Sequence, residues 1–183
     1  MSQLTIYPET AGEPIAVLRT HEEIARELGR IGVLFERWTA DRELEATATP
    51  DEVIEAYREP IDRLMQKYGF QSVDVVSMHP EHPQKDALRD KFLHEHTHSD
   101  FEVRFFVDGE GLFYIRKDGK VYATLCTRGD LISVPANTTH WFDMGPRPTF
   151  KAIRLFTTPE GWVANFTGDK IADRFPRLEN TAG

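Results

Sequence analysis

The chain has one cysteine, Cys126, no long apolar run, and fewer bases than acids. A lone thiol cannot close an internal disulfide, so a disulfide-stapled scaffold is excluded. No stretch approaches the ~20 consecutive apolar residues that cross a bilayer as a helix, and Lys and Arg are scattered rather than gathered on one amphipathic face, so no membrane role is expected. Lys and Arg number 22 against 30 Asp and Glu, a formal net charge of -8. That field has the wrong sign for a nucleic-acid backbone, and no nucleic-acid partner is expected. Met1 to Pro8 lacks a charged-then-apolar leader, which makes the cytosol the expected compartment. What is present is 183 residues, 40% apolar and 11% aromatic, enough to build one packed core.

The first ninety residues mix helical and strand signals. Thr20-His21-Glu22-Glu23 is a capping box, and Ile24, Leu28 and Ile31 follow at helical spacing. Thr49-Pro50-Asp51-Glu52 starts a second helix, with Ile54, Tyr57, Ile61, Leu64 and Tyr68 on one face and Gly69 at its end. Pro60 is expected to kink or split that helix. Gly32 to Trp38 and Ser72 to Met78 read as strands. Beyond Phe101, turns at Asp108-Gly109, Lys117-Asp118-Gly119-Lys120, Thr127-Arg128-Gly129-Asp130 and Gly145-Pro146-Arg147-Pro148 separate short alternating runs. This spacing predicts a small β-barrel or jelly roll. The tail Asn180-Thr181-Ala182-Gly183 is expected to fray.

Three of the seven histidines fall within five residues, in His94-Glu95-His96-Thr97-His98-Ser99-Asp100-Phe101-Glu102. On a strand, alternate residues share a face, so these side chains can converge on one point and suit a divalent first-row metal. Parity alone leaves two sets, His94, His96 and Asp100 or His96, His98 and Glu102. The turn expected at Asp108-Gly109, six residues past Glu102, favours the second set. His140, after the proline-bounded turn Pro135-Ala136-Asn137-Thr138-Thr139, is the candidate fourth ligand, with Phe142 and Met144 on the same strand face. The plain alternative is a set of core histidines, but burying three imidazoles and a carboxylate without a cation leaves polar groups unpaired at about 1–3 kcal/mol each. His94 is expected at the surface or behind the ligands, and Ser99, Asp100 and Thr139 are candidates to orient them. His21, His79 and His82 fit solvated or turn roles.

Arg104 shares strand parity with Glu102 and is expected beside the metal, as a catalytic clamp for an anionic substrate or as half of a structural ion pair. Arg154 is a second candidate of that kind. Phe92, Phe105, Phe142 and Trp162 are read either as core or as the lining of an apolar substrate pocket.

His96-x-His98, three residues, Glu102, six residues, Gly109 resembles the first cupin motif, and Gly129, five residues, Pro135, then His140 resembles the second. Asn137 stands where a glycine is common and Met144 where an asparagine is. Within the cupins, His94 to Gly109, Ser133 to Gly145 and the helical N-terminal region resemble the acireductone dioxygenases of methionine salvage. The resemblance implies a mainly β cupin jelly-roll barrel with N-terminal helices. It is taken as a single cupin domain over 1–183, with a helical and strand lead-in over 1–70 packed on a barrel core at 71–168. It implies one Fe2+ or Ni2+ per chain on His96, His98, Glu102 and His140, an enediol substrate and O2 as small-molecule partners, and a monomer. The iron form would give formate and 2-keto-4-methylthiobutyrate; the nickel form would give formate, carbon monoxide and 3-methylthiopropionate. Another metal-dependent cupin enzyme, a dioxygenase or an isomerase, and a non-catalytic cupin binding module are the alternatives.

Overall fold

A single strand of 16 residues ties together the computed structural model, which describes residues 1–179. The fraying expected of Asn180–Gly183 lies outside the described residues. In chain order the first strands are β1 (Gln3–Pro8), β2 (Ala16–Leu18), β3 (Leu34–Arg37), β4 (Ser72–Met78), β5 (His96–Thr97) and β6 (Glu102–Lys117). They are followed by β7 (Lys120–Thr127), β8 (Asp130–Val134), β9 (His140–Asp143), β10 (Phe150–Phe156) and β11 (Asn165–Phe166). Helices α1 (His21–Gly29), α2 (Pro50–Ala56), α3 (Arg58–Tyr68) and α4 (Lys85–Leu93) all precede β5. None is long and apolar enough, among the described residues, to cross a membrane.

The start of β6 pairs with β8 and β10 and its end with β7 and β9, all antiparallel, so one strand belongs to both walls of a barrel. β4 extends the first wall beside β10 and β3 extends it beside β8. β1 and β2 extend the second beside β7. The fold is mainly β, as the turn spacing implies, but β6 does not end at Asp108-Gly109. It runs through them with a register shift opposite Lys151 and Ala152. Gly109 takes φ +69°, and a Cβ there would lie 1.8 Å from the Thr149 carbonyl oxygen. The glycine therefore serves a bulge that bends the strand from one wall to the other, where a hairpin turn was expected.

Both expected helix starts are present. Thr20 accepts a hydrogen bond from the Glu23 amide, and Thr49 and Glu52 form a full capping box. The second helix breaks at Tyr57 rather than at Pro60. A proline cannot donate to the carbonyl four residues back and its ring collides with it, so the helix restarts at Arg58 with Pro60 in its first turn. Helix α4 was not legible: its N-terminus has no side-chain cap and none of its residues is buried.

Strand alternation divides the core. From β6, Phe106 faces the barrel interior with Phe142, Met144 and Phe150, while Val103, Phe105 and Val107 face outward under Val53, Tyr57, Ile61 and Leu64 of α2 and α3. Trp141 and Tyr114 on the other wall are covered by Ile171, Ala172 and Phe175 near the C-terminus.

Candidate active site

Three different local devices bring the ligand candidates together. The run from His94 to Glu102 is not one strand. His94 caps the end of α4, His96 lies in the two-residue β5, residues 98–101 bend, and Glu102 opens β6. β5 pairs His96 directly with His140 of β9. Asn137 turns the chain into β9 at φ +59°, a conformation that glycine adopts freely and asparagine tolerates, which accounts for its place in the motif.

His96, His98 and His140 are buried, and one nitrogen from each lies within 4.8 Å of the others. Glu102 Oε2 is 2.9 Å from His98 Nε2 and 3.3 Å from His140 Nε2. Each imidazole turns its Nδ1 to a backbone carbonyl: His96 to His94 O at 2.7 Å, His98 to Val163 O at 3.0 Å and His140 to Thr138 O at 2.8 Å. A carbonyl only accepts, so each Nδ1 donates and each Nε2 keeps a bare lone pair. The centre thus presents three lone pairs and a carboxylate, acceptors with no donor among them. His140 Nε2 makes no hydrogen bond despite lying 3.3 Å from the carboxylate.

Protons do not resolve this. Burial, helped by His140, lowers the His96 pKa to about 3, so its imidazolium is disfavoured. Burial alone would raise the Glu102 carboxyl, but the Arg104 guanidinium beside it outweighs burial and holds the group well below its ordinary value. A cation among the four satisfies every one of these atoms, and borderline nitrogen donors with one carboxylate suit a first-row divalent metal.

A cavity of about 500 Å³ opens from this centre. Arg104 lies in its wall with its guanidinium 4.8 Å from the Phe113 ring centre and 4.7 Å from that of Phe142. Its Nη2 donates to Glu102 Oε1 at 2.5 Å, while its buried Nε and Nη1 have no partner. Arg154 pairs with Arg104 across β10 and β6 and also reaches the cavity, but Asp74 holds it through bonds of 2.8 and 2.6 Å. Phe92 and Phe142 meet edge to face at 6.2 Å and line the cavity, and Trp162, 51% exposed, stands at its mouth.

Phe105 does not belong to this set. It faces the opposite side of β6, against Trp38 and Tyr57, because odd residues in this part of the strand point away from the metal centre. His94 is exposed and contributes only its carbonyl. Ser99, Asp100 and Thr139 do not orient the imidazoles by direct contact: backbone carbonyls do, and Thr139 Oγ1 bonds to Arg116 O instead. His82 accepts from the Gln84 amide in its turn and also reaches the cavity rim. Sequence reading missed Leu88 and Lys91 of α4, and Phe113, whose ring stacks 6.0 Å from that of His140.

The barrel, with buried histidines from β5 and β9 and a carboxylate from β6 beside an open cavity, defines a cupin-type metal-dependent enzyme. The model of the ARD/ARD′ family matches residues 3–164, and the chain belongs to that family of metal-dependent dioxygenases. It is 62% identical over 179 residues to an acireductone dioxygenase of Aquifex aeolicus, covering 98% of this chain and 97% of the relative. With the acireductone dioxygenase of Methylococcus capsulatus it shares 59% over 180 residues, covering 98% and 97%. The solved acireductone dioxygenase from Bacillus anthracis, with a cadmium ion in its active centre, superposes with a TM-score of 0.80 at 32% identity over 91% of this chain and 98% of that one.

Proposed function

We propose that this chain cleaves acireductone, 1,2-dihydroxy-3-keto-5-methylthiopentene, with O2, using one Fe(II) or Ni(II) held by His96, His98, Glu102 and His140. The observation that carries this reading is the meeting of three buried imidazoles, each with its Nδ1 turned to a carbonyl, with the Glu102 carboxylate beside a cavity, where His140 Nε2 has no hydrogen-bond partner. When bound, the metal supplies Lewis-acid chemistry and a template for a bidentate enediol. The residues around it prepare that site. Carbonyls fix the imidazole tautomers, so that the Nε2 lone pairs face the ion. Arg104 keeps Glu102 ionised and offers Nε and Nη1 to an anionic enediolate oxygen, its guanidinium resting against the adjacent Phe113 and Phe142 rings. Arg154, already engaged by Asp74, adds positive potential behind it. Met78, Leu88, Phe92 and Phe142 give the methylthio tail an apolar wall, and Trp162 borders the entrance.

With iron the expected products are formate and 2-keto-4-methylthiobutyrate; with nickel they are formate, carbon monoxide and 3-methylthiopropionate. The role is in methionine salvage in the cytosol, as a monomer whose partners are the enediol and O2. The test is to load metal-free protein separately with each metal, supply acireductone and oxygen, and identify the products. Metal-dependent oxygen uptake with the two product sets supports the reading, and no oxygen uptake with either metal overturns it.

A further inference from the structure

The three imidazoles differ in how their carbonyl partners are supplied. His96 and His140 each use a carbonyl two residues earlier in the chain, so local backbone sets their orientation. His98 uses Val163 O, 65 residues away. The segment that carries Val163 has little burial to hold it, since Trp162 is 51% and Val163 42% exposed. Its C-terminal side is tied down by the pairing of β11 with β5, and the hydrogen bonds on its N-terminal side converge on one buried carboxylate.

That carboxylate is Asp100, 6% exposed, between His98 and Glu102. Its Oδ1 accepts from the Phe101 amide at 2.7 Å and from Thr157 Oγ1 at 2.5 Å. Its Oδ2 accepts from the amides of Thr157 at 2.6 Å and Thr158 at 3.0 Å. The turn closes tightly on it: a Cβ at Gly161 would lie 2.7 Å from Asp100 Oδ2. The Gly161 amide then donates to Thr158 O at 3.2 Å and the Val163 amide to Glu160 O at 3.0 Å. A closed circuit results, running from His98 through Asp100 to Thr157 and Thr158, along the turn to Val163, and back to the His98 ring.

We propose that Asp100 is a positioning residue for the metal centre: by anchoring residues 157–163 it places the Val163 carbonyl that fixes the tautomer and ring orientation of His98. This rests on the reading of His96, His98, Glu102 and His140 as metal ligands. Asp100 touches neither the ion position nor the cavity, and it acts only through Val163. Asparagine at this position has the same shape but turns an NH2 group toward backbone or hydroxyl donors, so it cannot replace the carboxylate.

The test uses the full chain with Co(II) as the probe metal. Three quantities are read: Co(II) affinity by chelator competition, the visible absorption of the Co(II) protein, and the melting temperature of the metal-free protein. Asp100→Asn is expected to weaken Co(II) binding by roughly ten- to hundredfold, as loss of a partner behind a ligand does, and to shift the absorption band. Thr157→Val, which removes one of the four donors, and Gly161→Ala, which presses on the same carboxylate, are expected to move both readouts the same way by less. Phe105→Ala, which loosens the far side of β6, should lower the melting temperature and leave both Co(II) readouts unchanged. A lowered melting temperature with unchanged affinity and spectrum in Asp100→Asn and Thr157→Val would overturn the proposal. Wild-type protein that binds no Co(II) would overturn the ligand reading beneath it, and with it the proposal.

Discussion

Replacing Arg104 by methionine removes the guanidinium from its place against the Phe113 and Phe142 rings while roughly keeping the volume of its stem. In the metal-free protein this strands the Glu102 carboxylate, 2% exposed, without its cation. Breaking a buried pair in this way costs about 3–5 kcal/mol, a large share of the ~5–15 kcal/mol that holds a domain together. The wild-type Glu102 pKa is depressed, Arg104 being the foremost influence set against burial, so its stabilising contribution is present above the unfolded carboxyl pKa and is lost as pH falls through the folded value. In Arg104→Met burial dominates, the carboxyl rises, and the deficit against wild type should be greatest at neutral pH and narrow in mild acid. Bound metal supplies the missing positive charge and should restore much of the stability. Turnover should not recover: a lost charge-assisted hydrogen bond to the enediolate is worth about 1.5–3 kcal/mol, or roughly 10- to 150-fold in kcat/KM. Arg104→Lys should recover more stability than activity, since an ammonium lacks the planar fork that presents Nε and Nη1 together. Urea melts of metal-free and loaded protein at two pH values, with oxygen-electrode kinetics, measure all of this. Metal-free Arg104→Met as stable as wild type at neutral pH, or loaded Arg104→Met turning over at the wild-type rate, would rule out this role for Arg104.

His96→Ala and His140→Ala should each lose most bound metal and activity, whereas His94→Ala, whose side chain is 61% exposed, should keep both; metal analysis after dialysis decides this. Phe105→Ala should cost about 3–5 kcal/mol of stability with KM for the enediol unchanged, while Phe142→Ala should also raise KM, because only Phe142 lines the cavity. The metal-free protein should lose stability as pH falls from about 6.5 toward 3, because His96 takes up a proton when unfolded at its ordinary value of 6.5 and resists it when folded down to about 3. His96→Asn should flatten that part of the urea-midpoint profile.

The sequence made much of the site legible because ligand chemistry has few substitutes. Three closely spaced histidines, a carboxylate and a later histidine after a proline-bounded turn serve few purposes besides holding a cation, and the helix caps at Thr20 and Thr49 name their amide partners directly. Parity along β6 placed Arg104 correctly beside Glu102. Applied consistently, the same parity would have excluded Phe105 as a pocket residue. Beyond Gly109 parity fails for a physical reason: the bulge adds a residue, so the inward set changes from Glu102, Arg104 and Phe106 to Phe113 and Ile115, and Phe113 went unseen. The carbonyls behind the imidazoles are backbone groups that any residue carries, and Val163 lies 65 residues from the histidine it holds. No local signal marks such a partner. Helix α4 escaped because its N-terminus has no side-chain cap and its apolar residues Leu88 and Phe92 are only partly buried against the core.

Anomalous diffraction at the metal edge from crystals of nickel-loaded protein locates the ion itself. One strong peak per chain is expected, about 2 Å from the Nε2 atoms of His96, His98 and His140 and from a carboxylate oxygen of Glu102. A peak elsewhere, or none at the meeting point of those four side chains, would contradict that ligand set.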